Sequence, residues 1–317
     1  MQINTNKLKK RTSKWSIAIF RLVLLGGLSF ILLYPIIFMI SFGFRSGADM
    51  QSPMVIWVPK TLVWDNLYNA IKLMGYGSAF KNSVLITFVS SAIQVVICAL
   101  VGYGMSRFDF KIKPLLYGAC IITIIVPPTI VIMPTYLYYS YFDFFGIGSL
   151  MKMITGVGFS VSLTDSVFLF YLLALVGMGI RSGLFILIFT QFFRGMAKEL
   201  EEAAYIDGCG TLKTFVRIFA PNAAPAFLTV FLFSVVWYWN DYFFAATYVP
   251  KLETVSVALS TLATVTEGMI YGGTIDRLEV STIMQAGCLL LVLPMLIMYV
   301  FLQKYFTQSI EKTGIVG

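Results

Sequence analysis

The sequence predicts an all-α integral membrane protein with six transmembrane helices and both termini in the cytoplasm. Three observations carry that expectation: a composition too apolar for any soluble core, six apolar stretches of spanning length, and basic residues gathered in alternate connections. Of 317 residues, 58% are hydrophobic and 12% charged, whereas a soluble domain carries roughly 25% charged residues. One domain cannot bury so much apolar surface, so lipid must solvate it. The aromatic content of 16% suits belts of Trp and Tyr at two membrane interfaces.

Crossing about 30 Å of hydrocarbon takes roughly 20 helical residues. Six runs qualify: Leu22–Phe44, Ser83–Met105, Leu115–Tyr139, Val167–Phe193, Ala223–Val249 and Thr282–Leu302. The first is longer than a signal-peptide core and is followed by no A-x-A-like cleavage site, so it reads as an anchor. Lys and Arg set the orientation. One side holds Lys7, Lys9, Lys10, Arg11, Lys14, Arg21, Arg107, Lys111, Lys113, Arg194, Lys198, Lys213, Arg217, Lys304 and Lys312. The other holds Arg45, Lys60, Lys72, Lys152, Lys251 and Arg277. Fifteen against six places the first set inside the cell. The chain 1–317 reads as a single transmembrane domain, with a cytoplasmic loop at 195–221 and a cytoplasmic tail at 303–317.

Two outward connections have character of their own. Residues 47–79 include Trp57, Pro59, Trp64 and Tyr68, enough to lie on the membrane surface or on a partner. Residues 142–166, rich in Gly and Phe, contain a candidate interfacial helix. Arg181, inside the fourth run, marks either a break between an outer segment and the fourth helix or a loop, because Gly177, Gly179 and Gly183 surround it.

Several function classes drop out. With no histidine there is no His base, metal site or triad. Cys98, Cys120, Cys209 and Cys288 stand singly, with no CxxC pair, which suits small apolar residues in helices. The +8 formal charge would suit nucleic acid, but its concentration in one set of loops points to membrane topology instead. No G-x-x-x-x-G-K-[ST] phosphate loop occurs, so any nucleotide hydrolysis must come from a partner.

The loop 195–221, GMAKELEEAAYIDGCGTLKTFVRIFAP, is long and polar for a link between membrane helices. Residues 197–206 are strong helix formers, with Glu199, Glu201 and Glu202 near the N-terminal end that favours negative charge. Asp207-Gly208-Cys209-Gly210 breaks this helix. A second amphipathic helix follows, with Leu212, Phe215, Val216 and Phe219 on one face and Pro221 at its end. Ala203 and Ala204 leave the first helix flat enough for another backbone to approach. Such an elbow can transmit a rigid push, and the same pattern also suits a helix resting on lipid headgroups.

Glu202-Ala203-Ala204, Gly208, Ile218 and Pro221 resemble the E-A-A-x3-G-x9-I-x-L-P loop of ATP-binding-cassette importer permeases, with Ala220 in place of the usual Leu. The likeness extends over nearly the whole chain and is closest to the second permease of the maltose-permease-like carbohydrate importers. Gln191-Phe192-Phe193-Arg194-Gly195, Trp239-Asn240-Asp241-Tyr242, the prolines 127, 128 and 134, and the Gln303-Lys304-Tyr305-Phe306 ending resemble that group, whereas Val316 stands where it usually has a basic residue. The resemblance implies a type I importer permease fold in a bacterial plasma membrane. It implies coupling to an ATPase through Glu201, Glu202, Ala203, Ala204, Asp207 and Gly208. It also implies a second homologous permease, a cytoplasmic ATPase dimer that binds ATP and Mg²⁺, and an extracytoplasmic solute-binding protein. This chain itself needs no cofactor or metal.

A translocation pathway is read at Trp237, Trp239, Asn240, Asp241 and Tyr242. Polar groups within a span usually face the bundle interior or a watery cavity, and flanking aromatics can stack on a sugar ring. The same residues can instead tie helices together or anchor at the interface. The alternative transport class is a secondary transporter driven by an ion gradient, for which Asp241 is the one credible intramembrane carboxylate and no inverted repeat is visible. A membrane-embedded enzyme lacks the necessary side chains.

Overall fold

A computed structural model describes residues 5–144, 146–273 and 276–313, with side chains described over 14–144, 146–273 and 276–304. Val316 and Gly317, and the side chains of Lys7, Lys9, Lys10, Arg11, Tyr305, Phe306 and Lys312, lie outside the described residues. Among the described residues the regular structure is helical, with one isolated antiparallel bridge between Phe142 and Val161.

The main helices are α1 (Thr5–Gly43), α2 (Tyr76–Arg107, with a π turn over Leu85–Val89), α3 (Lys113–Ile125), α4 (Pro128–Ser140), α5 (Val167–Leu175) and α6 (Ser182–Arg194). They continue as α7 (Glu199–Ile206), α8 (Thr211–Asn222), α9 (Ala224–Trp239), α10 (Phe243–Tyr248), α11 (Val255–Tyr271) and α12 (Arg277–Thr313). Within α1, α2 and α12 lie three helices long and apolar enough to cross a membrane. Two sharply bent pairs also meet that test, α3 with α4 at 105° and α8 with α9 at 80°, which raises the number to five.

The apolar runs are thus less continuous than expected. The third is two helices instead of one, because Pro127 sits in an extended conformation and neither it nor Pro128 has an N–H to carry the ladder onward. Pro128 then serves as a helix-starting residue. The fourth breaks between Leu175 and Ser182, where Gly177 (φ +75°) and Arg181 (φ +61°) both adopt left-handed backbone. The fifth stops at Trp239. Asn240 and Asp241 lie in the break, and the Asp241 carboxylate accepts from the amides of Phe244 (3.4 Å) and Ala245 (2.9 Å), starting α10. Short polar side chains favour such caps over helix interiors. Helix α11 fills the connection between the fifth and sixth apolar runs.

Two compact units divide the chain. One comprises residues up to Leu73 together with Leu262–Val292. In it Gly43 lets α1 approach α12 closely: a Cβ there would meet Leu289 at 3.1 Å and the Ala286 backbone at 3.4 Å. The connection after α1 is an ordered strap. Buried Arg45 donates to Ser41 Oγ (2.9 Å) and to the Ile56 carbonyl (2.5 Å), and Asn66 donates to the carbonyls of Gly43 and Arg45. Trp57 packs edge-on against Phe30 and Tyr34.

The other unit comprises Met74–Thr261 and the residues from Leu293 on. One of its cores joins α2, α6, α8 and α9 through Val95, Tyr103, Phe189, Phe193, Phe219 and Val230. In lipid, helix association rests on close packing and hydrogen bonds more than on apolar burial. Both are present. A Cβ at Gly102 would stand 2.6 Å from Phe189 Cβ, so only glycine lets α2 and α6 come this close. Above this contact Gln94 donates to the Ile180 carbonyl (2.7 Å) and Ser182 Oγ (2.9 Å), while Ser234 donates to Ser91 Oγ and Gln94 Oε1, each at 3.0 Å. The second core gathers Tyr139, Leu169, Phe170, Tyr238 and Tyr248.

Candidate functional site

The elbow predicted at 195–221 forms from its own sequence. Helix α7 carries Glu199, Glu201 and Glu202 in its first turn, where the helix dipole favours them. It ends with the Asp207 amide on the Ala203 carbonyl (3.0 Å) and the Cys209 amide on the Ala204 carbonyl (2.9 Å). The return requires left-handed backbone at Gly208 (φ +74°), which a side chain would strain. Helix α8 then runs back with a π turn over Phe215–Phe219. It passes Pro221 by one residue instead of ending there, helped by Asn222 Nδ2 donating to the Ile218 carbonyl (2.7 Å).

The faces differ from the expected ones. On α8, Thr214, Phe215 and Phe219 are buried, whereas Leu212 and Val216 are exposed. The π turn shifts the register, so an ordinary helical period drawn through 212, 215, 216 and 219 picks the wrong stripe. On α7, Ala204 is 2% exposed and turned into the protein. Glu202, Ala203, Asp207 and Gly208 face outward. Tyr205, Ile206, Leu212 and Val216 of the elbow are exposed as well among the described residues.

Arg107, the last residue of α2, holds this elbow. The basic count used it only for topology. Its buried guanidinium donates from Nη2 to the carbonyls of Phe193 and Met196, each at 2.7 Å, satisfying the C-terminal end of α6. It faces Glu201 at 3.7 Å and lies over the Phe219 ring at 4.6 Å. Glu201 also accepts from Tyr205 (2.9 Å) and Tyr103 (3.5 Å). One side chain therefore ties α2, α6, α7 and α8 together, and Glu201 belongs to this joint rather than to the outer face. No local pattern could have disclosed it, because the contact depends on helices 86 or more residues apart in sequence.

The five residues read as a pathway separate. Trp239 is 2% exposed and packs edge-on against Phe80, so it is structural in this chain. Asn240 Nδ2 donates to the Val236 carbonyl and Asp241 caps α10. Trp237 and Tyr242 remain open, 41% and 42% exposed. Arg181 stacks over Trp237 with its guanidinium 4.5 Å from the ring centroid.

Residues 94–312 match the family described as binding-protein-dependent transport system inner membrane component. Among known proteins the chain is similar to the probable ABC transporter permease protein YurM of Bacillus subtilis, 27% identical over 90% of this chain and 84% of that one. It is also similar to the melibiose/raffinose/stachyose import permease protein MelC of the same organism, 24% identical over 89% and 91%. The arabinooligosaccharides transport system permease protein AraQ of Halalkalibacterium halodurans is 25% identical over 92% and 93%. Among solved structures, a bacterial ABC transporter importing the acidic polysaccharide alginate shares the fold, with a TM-score of 0.66 and 19% identity over 96% of this chain and 99% of that chain.

Proposed function

Since the chain belongs to the binding-protein-dependent transport system inner membrane components, a family of multi-pass bacterial plasma-membrane transport proteins, we propose that it is a permease subunit of a carbohydrate importer whose bare elbow receives an ATPase. The relatives named for oligosaccharide transport support the substrate class. The elbow supports the coupling role: it turns Glu202, Ala203, Asp207 and Gly208 outward and is fixed behind by Arg107.

In this reading six spans cross the membrane, the broken runs 113–140 and 167–194 each serving as one, with both termini, the elbow and the tail 303–317 in the cytoplasm. The chain pairs with a homologous second permease. A solute-binding protein delivers the sugar from outside, and the ATPase dimer supplies ATP, Mg²⁺ and hydrolysis. When the ATPase subunits close, they push on α7. Because Arg107 joins α7 to the ends of α2 and α6, the push moves helices rather than a loose loop, as packed elements shift as units. The family of binding-protein-dependent components favours this cycle over an ion-gradient transporter.

Two substitutions test the docking face. A203R places a long charged side chain on its outward surface, and G208P forces φ to about −65° where +74° is required. Each is expected to lower copurification of the ATPase and saccharide uptake at least about tenfold, roughly 1.4 kcal/mol of docking energy. Normal uptake with normal ATPase association in A203R would contradict the proposal.

A further inference from the structure

The substrates named for the relatives include both neutral oligosaccharides and an acidic polysaccharide, so they do not decide the chemistry of the transported sugar. The unit that carries the elbow contains a cavity of about 390 Å³, lined by α3, α4, the break before α6, and the aromatic ends of α9 and α10. Its walls are mainly aliphatic, with Thr123, Thr135, Tyr139, Ser182, Tyr238 and Tyr248 as hydroxyl groups and Arg181 as the single charged residue.

Arg181 is held there deliberately by its neighbours. The Ile180 carbonyl accepts from Gln94 Nε2 (2.7 Å), its amide donates to Tyr238 Oη (3.3 Å), and Ser182 Oγ receives the second Gln94 bond (2.9 Å). Ile180 is therefore bolted to α2 and α9, and Ser182 to α2. Between them Arg181 adopts φ +61°, a left-handed conformation that is strained for a non-glycine residue and persists where the surroundings enforce it. Its guanidinium makes no ion pair or hydrogen bond among the described residues, only the stacking over Trp237. Asp241, the carboxylate in the break that follows Trp237 and α9, already caps α10.

Depth separates the two anions that could answer this charge. Helix α6 has 13 residues, about 20 Å of rise, and on the proposed topology it ends at the cytoplasmic boundary. Arg181 then stands about 10 Å below the outer edge of a hydrocarbon layer of about 30 Å. A phospholipid headgroup does not sit there, whereas a substrate passing through does, and intramembrane cations mark such paths. An arginine fork in the cavity wall, backed by the Trp237 ring, suits a carboxylate carried on a sugar ring, by paired hydrogen bonds.

We propose that Arg181 is a substrate-contact residue that receives the carboxylate of a uronic acid unit, making this chain a permease for acidic oligosaccharides. The inference rests on the importer reading. It is tested on the full importer, with its binding protein and ATPase, in vesicles of neutral phospholipid. Saccharide-stimulated ATP hydrolysis is measured with oligogalacturonate, oligomannuronate and oligoglucuronate, and with the same oligomers after reduction of their carboxyls to alcohols. The variants are R181N, chosen because Asn tolerates left-handed backbone, and R181K, which keeps the charge.

At least one acidic oligomer should stimulate, its reduced form should not, and R181N should raise the half-saturating concentration about tenfold while R181K recovers most of the loss. Stimulation by neutral saccharides alone, or an acidic response equal in R181N and the unaltered protein, would overturn the assignment while leaving the importer reading intact. So would an R181N effect that tracks added anionic phospholipid instead of the sugar carboxylate. If no saccharide of either kind stimulates, the importer reading itself falls, and this inference with it.

Discussion

Arg107 concentrates more of the proposed coupling than any residue within the elbow. Its charge is shared among two carbonyls, one carboxylate and one aromatic ring, and hydrogen bonds to charged groups contribute about 1.5–3 kcal/mol each. R107Q would strand Glu201 and free the end of α6, at a cost of about 3 kcal/mol, the lower end for breaking a buried pair because Glu201 keeps its bond from Tyr205. Faster amide hydrogen exchange over 195–221, with unchanged exchange over 1–73, is the expected signature. Asp143 gives a second test, outside the proposed spans. The Ser149 hydroxyl (2.6 Å) and then the Gly146 amide (2.9 Å) hold its carboxyl below the usual carboxylate range. A depressed folded pKa means the turn at 143–149 is stabilised above the ordinary value of 3.8 and loses that support as pH falls through the folded value. S149A should raise the Asp143 pKa toward the ordinary value, measured by carboxylate carbon NMR. An unchanged titration would show that the hydroxyl does not set it.

Among the elements, the contact between α2 and α6 sets how the elbow is carried. G102A would drive a methyl into Phe189 and the Thr190 amide, and overpacking of this kind costs about 1–3 kcal/mol. Thermal unfolding in detergent should report a lowered midpoint, and an unaltered midpoint would mean that the helices separate freely at this position. Much of this level was legible in advance. The elbow's two helices and its turn follow from helix formers, acids at an N-terminus and a Gly at the reversal, all local signals. Helix α11 escaped because its Thr- and Val-rich stretch of 17 residues is too short to read as a span and too β-branched to read as a helix. The stripe on α8 was misread because a π turn leaves no mark in hydrophobic periodicity. The sharp bend of α3 against α4 was foreshadowed by Pro127 and Pro128, yet its angle of 105° depends on what α4 packs against. Arg107 and the frame around Arg181 were not legible at all, since each joins helices distant in sequence.

For the whole molecule, composition alone required lipid, and the family match required a transport assembly. In the proposed function, transport turns on a single contact, the outward face of α7 against a nucleotide-hydrolysing partner. The most direct measurement is site-specific cross-linking in the assembled importer. Cys98, Cys120, Cys209 and Cys288 are replaced, and A203C then supplies one thiol on the exposed side of the elbow. The account predicts a cross-link from position 203 to the ATPase subunit whose yield changes when ATP is bound. A thiol at 203 that joins no ATPase, and that reacts instead with a membrane-impermeant reagent added outside intact cells, would contradict it.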